Sequence, residues 1–169
     1  MVKNNCKNIE KLIFRYVNQT RKKNNLCELK PDRGLIFLAR KHSSLMAKKR
    51  KIWHGKNVFV AKNYVSSSIW EVLKFILYPL AIFFPPLWII FYFGEKGVSG
   101  ENVALMPKGR VKGFKKGIYT DKDIARALHI TWMKSDGHRK NILNKDFKKI
   151  GIGVKRNGNK FYATELFYG

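Results

Sequence analysis

Residues 131–143 read TWMKSDGHRKNIL, and this stretch joins the end of one helical pattern to the start of another. Upstream, apolar side chains recur at offsets of three and four as far as Trp132, which predicts an amphipathic helix. The polar triplet SDG at 135–137 interrupts the pattern and supplies N-cap chemistry for a short second helix. His138 follows in the first turn of that helix, near the surface, and is therefore a candidate functional residue.

The composition bounds the size and the partners of the protein. A chain of 169 residues fits one domain with a modest core. It carries 35 Lys and Arg against 11 Asp and Glu, a formal net charge of +24. Such a charge attracts phosphate-bearing surfaces, either anionic lipid headgroups or nucleic acid. It also fits a solvated basic surface with no dedicated partner, so charge alone does not fix a function.

Two cysteines and the N-terminal segment bear on the compartment. Cys6 and Cys27 show no CxxC or zinc-finger spacing, so the chain is not a disulfide-rich scaffold. One bridge between them and two free thiols remain alternatives. Residues 1–17 are charged and polar and lack the apolar core of a secretory signal, so no cleavable signal peptide is predicted.

Two amphipathic helices are predicted in the first third of the chain, over 8–24 and 35–48. In the first, Arg21 falls on the polar side. In the second, His42 falls on the apolar stripe, where a core histidine with satisfied hydrogen bonds is the favoured role. The second helix ends in cations that suit its macrodipole, and the loop after it presents His54 between an aromatic residue and a glycine.

The segment before the last helices predicts loops. Residues 94–106, which include Glu101, have polar turn chemistry, and residues 107–117 predict a mobile basic loop punctuated by glycine. Thr120 then opens a helix with the pattern of a capping box.

The C-terminal segment predicts an antiparallel hairpin. Apolar residues alternate with glycine or lysine over 150–155, which is the period of a strand. The dipeptide at 157–158, Asn-Gly, is a strong hairpin signal, and the aromatic segment 161–168 supplies the returning strand. Helices first and a hairpin last indicate an α+β fold in which helices cover a sheet.

Residues 69–93, IWEVLKFILYPLAIFFPPLWIIFYF, form the most apolar segment, and no charge occurs between 75 and 93. The length suits a membrane span, but Pro79, Pro85 and Pro86 would divide it into helices too short to cross a bilayer. We therefore expect a bent, re-entrant or interfacial hairpin inserted at about 66–95, with a buried pair of core helices as the alternative. The side chains expected to enter the membrane are Phe75, Phe83, Phe84, Trp88 and Phe91.

Four segments match one known pattern in order and approximate spacing. They are IEKLIFRYVNQTRKKNNL at 9–26, LARKHSSLMAKKRKIWH at 38–54, GENVALM at 100–106, and WMKSDGHRKNIL with KKIGIGV between 132 and 154. Together they resemble the CAP superfamily, the domain of cysteine-rich secretory proteins, insect venom allergens and plant pathogenesis-related proteins, and most closely its short prokaryotic branch. The resemblance predicts a single domain over 1–169 that the apolar insert interrupts.

This resemblance implies a fold and a site. The fold is an α-β-α sandwich with helices around a small antiparallel sheet, and a surface cleft gathers two histidines and one or two glutamates that hold a divalent cation in some members. By position, His54 and His138 match the two family histidines, and Glu101 matches the glutamate of the GEN motif. Ser135 stands where the second family glutamate would be. The resemblance thus implies His54, Glu101 and His138 as zinc ligands and makes them candidate catalytic residues.

The chemistry of these three residues leaves two alternatives. Two neutral imidazoles and a carboxylate are a reasonable ligand set for zinc with an open position for water. Glu101 would serve as a general base only if burial raised its pKa. Alternatively, the three side chains hydrogen-bond one another and hold the loops of the cleft.

Three functional hypotheses follow. The leading one is a membrane-associated CAP-domain protein, with neither side of the membrane favoured, whose basic surface meets anionic headgroups and whose His/Glu cleft binds a lipid or another amphiphile. The second is a metal-dependent hydrolase acting on peptides or cell-envelope polymers. The third, nucleic-acid binding, is the least favoured, because the sequence contains no recognisable RRM, KH or helix-turn-helix motif.

Overall fold

The structure, a computed structural model, describes residues 5–55 and 99–169. The predicted insert at 66–95 and its membrane-facing aromatic residues lie outside these ranges. In the described ranges, no helix has both the length and the apolar character needed to cross a membrane. The elements in chain order are α1 Cys6–Lys23, β1 Lys30–Pro31, α2 Arg33–Lys49, β2 Ser99–Pro107, α3 Asp121–Lys134, α4 Asp136–Ile142, β3 Lys149–Asn157 and β4 Lys160–Tyr168.

These strands form a four-stranded sheet in the order β1-β3-β4-β2. The three long strands are antiparallel, and β3 and β4, the two that were predicted from the sequence pattern, are joined by a two-residue turn in which Gly158 has a positive φ of 59°. The short β1 pairs in parallel with the start of β3, in a segment for which the sequence predicted only a turn-prone connection. The predicted hairpin is therefore confirmed, and β1 extends the sheet beyond it.

Helices cover both faces of this sheet. On one face, α2 contacts β3 and β4. On the other face, α1 and α3 pack together over the main hydrophobic core, which includes Ile13, Leu128, Trp132 and the alternate apolar residues of β3. The short α4 follows α3 and contacts β2. This arrangement confirms the expected α+β fold, an α-β-α sandwich with helices around a small sheet.

Two glycines bring α2 directly onto β3. A Cβ atom on Gly151 would overlap the backbone of Leu35, and one on Gly153 would overlap the backbone of Ala39. Ser43 Oγ also lies 2.8 Å from the carbonyl oxygen of Gly153. The alternation IGIGV therefore gives a strand with apolar side chains toward α1 and α3 and bare backbone toward α2.

Arg21 holds α1 against the far end of α4, although the sequence placed it on the polar side of its helix. The side chain is fully buried, and its guanidinium donates to the carbonyl oxygens of Cys27, Ile142, Asn144 and Phe147. The prediction of an exposed Arg21 was wrong. Helical periodicity shows which residues share a face of α1, but it does not show that carbonyl acceptors from segments distant in sequence would cover Arg21.

The N-cap predicted from the sequence is present at the start of α3 but absent at the start of α4. At α3, Thr120 and Asp123 form the predicted capping box. At α4, Ser135 is the N-cap but makes no side-chain cap bond, so the predicted cap chemistry is absent there. Ser135 also terminates α3, and its backbone serves both helices, donating to Trp132 and accepting from Arg139.

The segment predicted as polar turns at 94–106 contains β2 instead. Glu101 and Asn102 are buried in this strand, each with hydrogen-bond partners from elsewhere in the chain. The strand was missed because the interpretation of the hydrophobic pattern assumes that polar residues face solvent.

Both Cys6 and Cys27 are free thiols, which decides between the two alternatives left open by the sequence.

Replacement of Gly153 by Ala should lower the free energy of unfolding by about 1–3 kcal/mol, because the added Cβ forces α2 off the strand. Urea titrations followed by circular dichroism measure the change. Gly137 in α4 is the matched control, since a Cβ there meets nothing within 4 Å. Gly137→Ala should leave stability unchanged or raise it by up to about 1 kcal/mol. Equal stability of Gly153→Ala and wild type would contradict the close approach of α2.

Candidate functional site

Glu101 is the centre of the candidate site. Its side chain on β2 is only 2% exposed. One carboxylate oxygen, Oε1, lies 2.8 Å from Nδ1 of His42, and the other, Oε2, lies 3.2 Å from Nδ1 of His54. Oε2 also accepts a 2.9 Å hydrogen bond from the backbone N–H of Gly55. Because a carboxylate only accepts hydrogen bonds, these contacts place the ring proton of both histidines on Nδ1 and leave Nε2 facing away.

His42 supports this carboxylate from beneath. Its side chain is 1% exposed, as predicted for a core histidine. The predicted hydrogen bonding is only half met, because Nε2 has no partner in the described part of the chain. The ring packs edge-on against Trp53 at a centroid distance of 5.5 Å, and Nζ of Lys49 lies 5.4 Å from the Trp53 ring. The loop that carries His54 is thus fixed by an aromatic contact as well as by Glu101.

His54 and His138 lie side by side above the carboxylate. The His54 side chain is 61% exposed, and its ring centroid is 5.9 Å from that of His138. Burial and the neighbouring His54 lower the pKa of His138 below its ordinary value. Nδ1 of His138 is buried and has no partner among the described residues. The structure therefore brings the three predicted site residues together, with His54 in contact with the other two.

A network of amides positions α4, and hence His138, on β2. Asn102 Nδ2 donates to the carbonyl oxygen of His138 at 3.1 Å and to Glu165 Oε2 at 2.9 Å. Asn141 Nδ2 donates to Asn102 Oδ1 at 2.8 Å and to the carbonyl oxygen of Glu101 at 3.2 Å. Sequence reasoning missed these roles. Their signals were the position of Asn102 next to Glu101 and of Asn141 one turn after His138.

The site wraps around the edge of the described sheet. Consecutive side chains of a strand point to opposite faces. Accordingly, Glu101 reaches His42 on α2, whereas Asn102 reaches His138 and Asn141 on α4. One dipeptide of β2 therefore binds the side chains on α2 and those on α4 at this edge of the sheet.

Glu165 is a second buried carboxyl group, also missed from the sequence. It stands opposite Asn102 on the neighbouring strand β4 and is fully buried. Burial raises the pKa of Glu165 to about 8, and the Asn102 hydrogen bond offsets this only in part. Its Oε1 has no partner in the described ranges. At neutral pH the group is therefore mainly a neutral carboxylic acid beneath the site.

Between residues 5 and 55 and between 99 and 169, no three His, Cys, Asp or Glu side chains are grouped in a way that could hold a metal ion. Glu101 engages His54 through a hydrogen bond, which agrees with the alternative in which the site residues hold the cleft loops. Zinc binding by His54, Glu101 and His138 stays a prediction.

The raised pKa of Glu165 makes stability depend on pH in a defined direction. Between roughly pH 4.5 and 8 the folded protein keeps a proton that the unfolded chain releases, so stability falls as the pH rises through this window. Glu165→Gln should therefore be more stable than wild type at pH 8, by about 2 kcal/mol or more, with little difference near pH 5. Urea unfolding at several pH values checks this.

The exposed Glu28 provides the control for this experiment. Glu28→Gln should follow the wild-type pH dependence throughout. A stability difference between Glu165→Gln and wild type that does not change with pH would contradict a protonated Glu165.

Comparison with known proteins identifies the fold family. Residues 90–168 match the family model described as CAP, the cysteine-rich secretory protein family. YkwD, an uncharacterised protein of Bacillus subtilis, is 30% identical over 161 residues, which cover 95% of this chain and 47% of YkwD. The chain thus spans about half the length of this curated relative.

Two solved structures share the fold. An outer surface protein of Borrelia burgdorferi superimposes with a TM-score of 0.60 at 19% identity, covering 99% of this chain and 96% of that one. An extracellular SCP-domain protein of Bacillus anthracis gives a TM-score of 0.56 at 24% identity, covering 94% and 39%. The C-terminal part of the chain, residues 90–168, therefore matches the CAP family model, and the chain shares its fold with these two structures.

Proposed function

We propose that this CAP domain is a binding module that holds a lipid or another amphiphile at the cleft of His54 and His138, and that it works at an anionic membrane surface. The proposal rests on the hydrogen bonds that the Glu101 carboxylate makes within the domain. Its two oxygens already face the donors of His42, His54 and Gly55. The carboxylate therefore organises the cleft, and the exposed imidazole of His54 is the group offered to a ligand.

A binding role suits this arrangement better than general base catalysis. A general base must reach a substrate proton, and Glu101 would have to release one of its present partners to do so. A ligand site needs a few fixed polar groups beside apolar surface. His54 is held in one orientation by Glu101, and the half-buried Trp53 beside it supplies aromatic surface.

The net charge supports the membrane part of the proposal. Each Lys or Arg near an anionic surface contributes about 1 kcal/mol, so a few of the 35 such residues provide substantial attraction. Shallow insertion of the apolar segment 69–93, which lies outside the described residues, would add a hydrophobic anchor. Two such signals together suffice for stable attachment.

A second candidate function, a metal-dependent hydrolase acting on peptide or cell-envelope substrates, is favoured by the adjacent imidazoles. The divalent cation that the family implies would be held by nitrogens of His54 and His138, while Glu101 orients His54 from behind, as carboxylates do for metal-bound histidines. When bound, such a cation polarises a carbonyl group or activates a water molecule. This candidate requires stoichiometric zinc in the purified protein.

Membrane attachment is tested by flotation with anionic vesicles. The full chain should float at both low and high salt, because high salt screens the charges but leaves the hydrophobic anchor. A version with residues 69–93 replaced by a short Gly/Ser linker, and the triple variant Phe83→Ser, Phe84→Ser, Trp88→Ser, should be released by high salt. Unchanged flotation of both versions would contradict a membrane role for this segment.

The cleft is tested by mass spectrometry of lipids that copurify with the protein. We expect lipid in the wild type and its loss when His54 and His138 are both replaced by Ala. Glu101→Gln should weaken capture about tenfold, because the loss of charge-assisted hydrogen bonds frees the His54 loop. Glu28→Gln is the matched control for loss of a carboxylate. Equimolar zinc together with hydrolysis abolished by Glu101→Gln would instead establish the second candidate, and lipid retained by the double histidine variant would contradict a cleft site.

A further inference from the structure

The basic segment after β2 forms a loop of defined conformation that packs against the domain. Gly109 and Ile118 close its base with two backbone hydrogen bonds of 2.9 and 2.8 Å. Gly109 and Gly113 have φ values of 126° and 89°, which side-chain-bearing residues rarely adopt. Val111 and Phe114 pack against the main core. The lysines of this segment are therefore held at defined places on the surface.

A pocket of about 400 Å³ lies between this loop and the outer face of α3. That volume is within the range of small-molecule sites. Arg126, Ile130 and Lys134 follow one another at four-residue spacing on α3, and so they line one side of it. The floor is apolar and includes Phe114 and Ile118. The cations around the opening are Lys115, Lys116, Arg126 and Lys134.

The charge of this pocket is not balanced by its own residues. None of the four cations forms an ion pair with any residue in 5–55 or 99–169. Asp123 also lines the pocket, and hydrogen bonds from the backbone N–H groups of Thr120 and Tyr119 and from the Thr120 hydroxyl lower the pKa of its carboxyl group. Its single negative charge offsets only one of the four cations. Four cations around one concave surface concentrate positive potential there and attract an anion.

We propose that this pocket, formed by the 109–118 loop and α3, binds a phosphate ester. A phosphate group offers several acceptor oxygens and up to two negative charges. Arg126 can donate to it through two parallel N–H groups, and the lysines act as point charges. The apolar floor suits the carbon skeleton of a small ester such as glycerol phosphate. This chemistry is shared by a phospholipid headgroup and a free phosphorylated small molecule.

The pocket is separate from the proposed lipid cleft. None of its lining residues belongs to the group of His42, His54, Glu101 and His138. Replacing His54 and His138 by Ala should therefore leave phosphate binding intact. The failure of one proposal can thus be distinguished from the failure of the other.

Isothermal titration of the full chain with glycerol 3-phosphate at low salt tests the proposal. The double variant Lys115→Glu, Lys116→Glu should bind at least tenfold more weakly than wild type. Lys145→Glu, Lys148→Glu changes the net charge equally at exposed positions elsewhere and should bind within twofold of wild type. Arg126→Gln should also weaken binding, and Arg126→Lys should restore part of it. Circular dichroism confirms that each variant is folded.

Vesicles containing phosphatidylglycerol, compared with phosphatidylcholine vesicles, distinguish the source of the phosphate. Binding of free glycerol phosphate that depends on Lys115 and Lys116 supports a soluble ligand. Vesicle binding alone with the same dependence supports a lipid headgroup. Equal weakening by the pocket variant and the Lys145, Lys148 control would mean diffuse charge attraction and would overturn the proposal, as would the absence of binding to both probes.

Discussion

The direct contact between the backbone of α2 and the glycines of β3 is the constraint on which the site depends. Gly151 and Gly153 offer no side chain to this helix, so α2 lies deeper on the sheet than side chains would permit. At that depth His42 reaches the carboxylate of Glu101 on β2, at 2.8 Å. If a methyl group on β3 moved α2 away from the sheet, this short contact would be lost, because the imidazole side chain of His42 is too short to span the added distance. The glycines of β3 thus determine the geometry of a candidate site to which they contribute no side chain.

The position of His138 in the candidate site depends on how α4 is held. This seven-residue helix is too short to be stable alone, so its position comes from tertiary contacts. Asn102 and Asn141 bind one side of it to β2. At its C-terminal end, the Arg21 guanidinium donates hydrogen bonds to carbonyl oxygens. His138 therefore owes its place beside His54 to neutral amides and to a buried guanidinium.

Elements with a strong local period could be predicted from the sequence, whereas those stabilised by distant partners could not. The helices α1 and α3 and the β3–β4 hairpin follow from periodicity and turn chemistry. The strand β2 was missed because its polar residues are satisfied by His42, Asn141 and Glu165, which come from other segments. His54, Glu101 and His138 were found through resemblance to a family. Nothing local to the sequence indicated that their side chains would meet.

The two buried carboxyl groups of the site show how environment assigns them different charges. Glu101 has two imidazole donors and a backbone N–H, whereas Glu165 has a single amide donor and no other partner in the described ranges. Glu165 consequently keeps its proton, because burial penalises its charged form and one amide donor offsets that penalty only in part. The candidate site then combines the carboxyl group of Glu101 with the imidazole rings of His42, His54 and His138. The cations around the 109–118 loop lie apart from these groups, so the two proposed sites differ in electrostatic character.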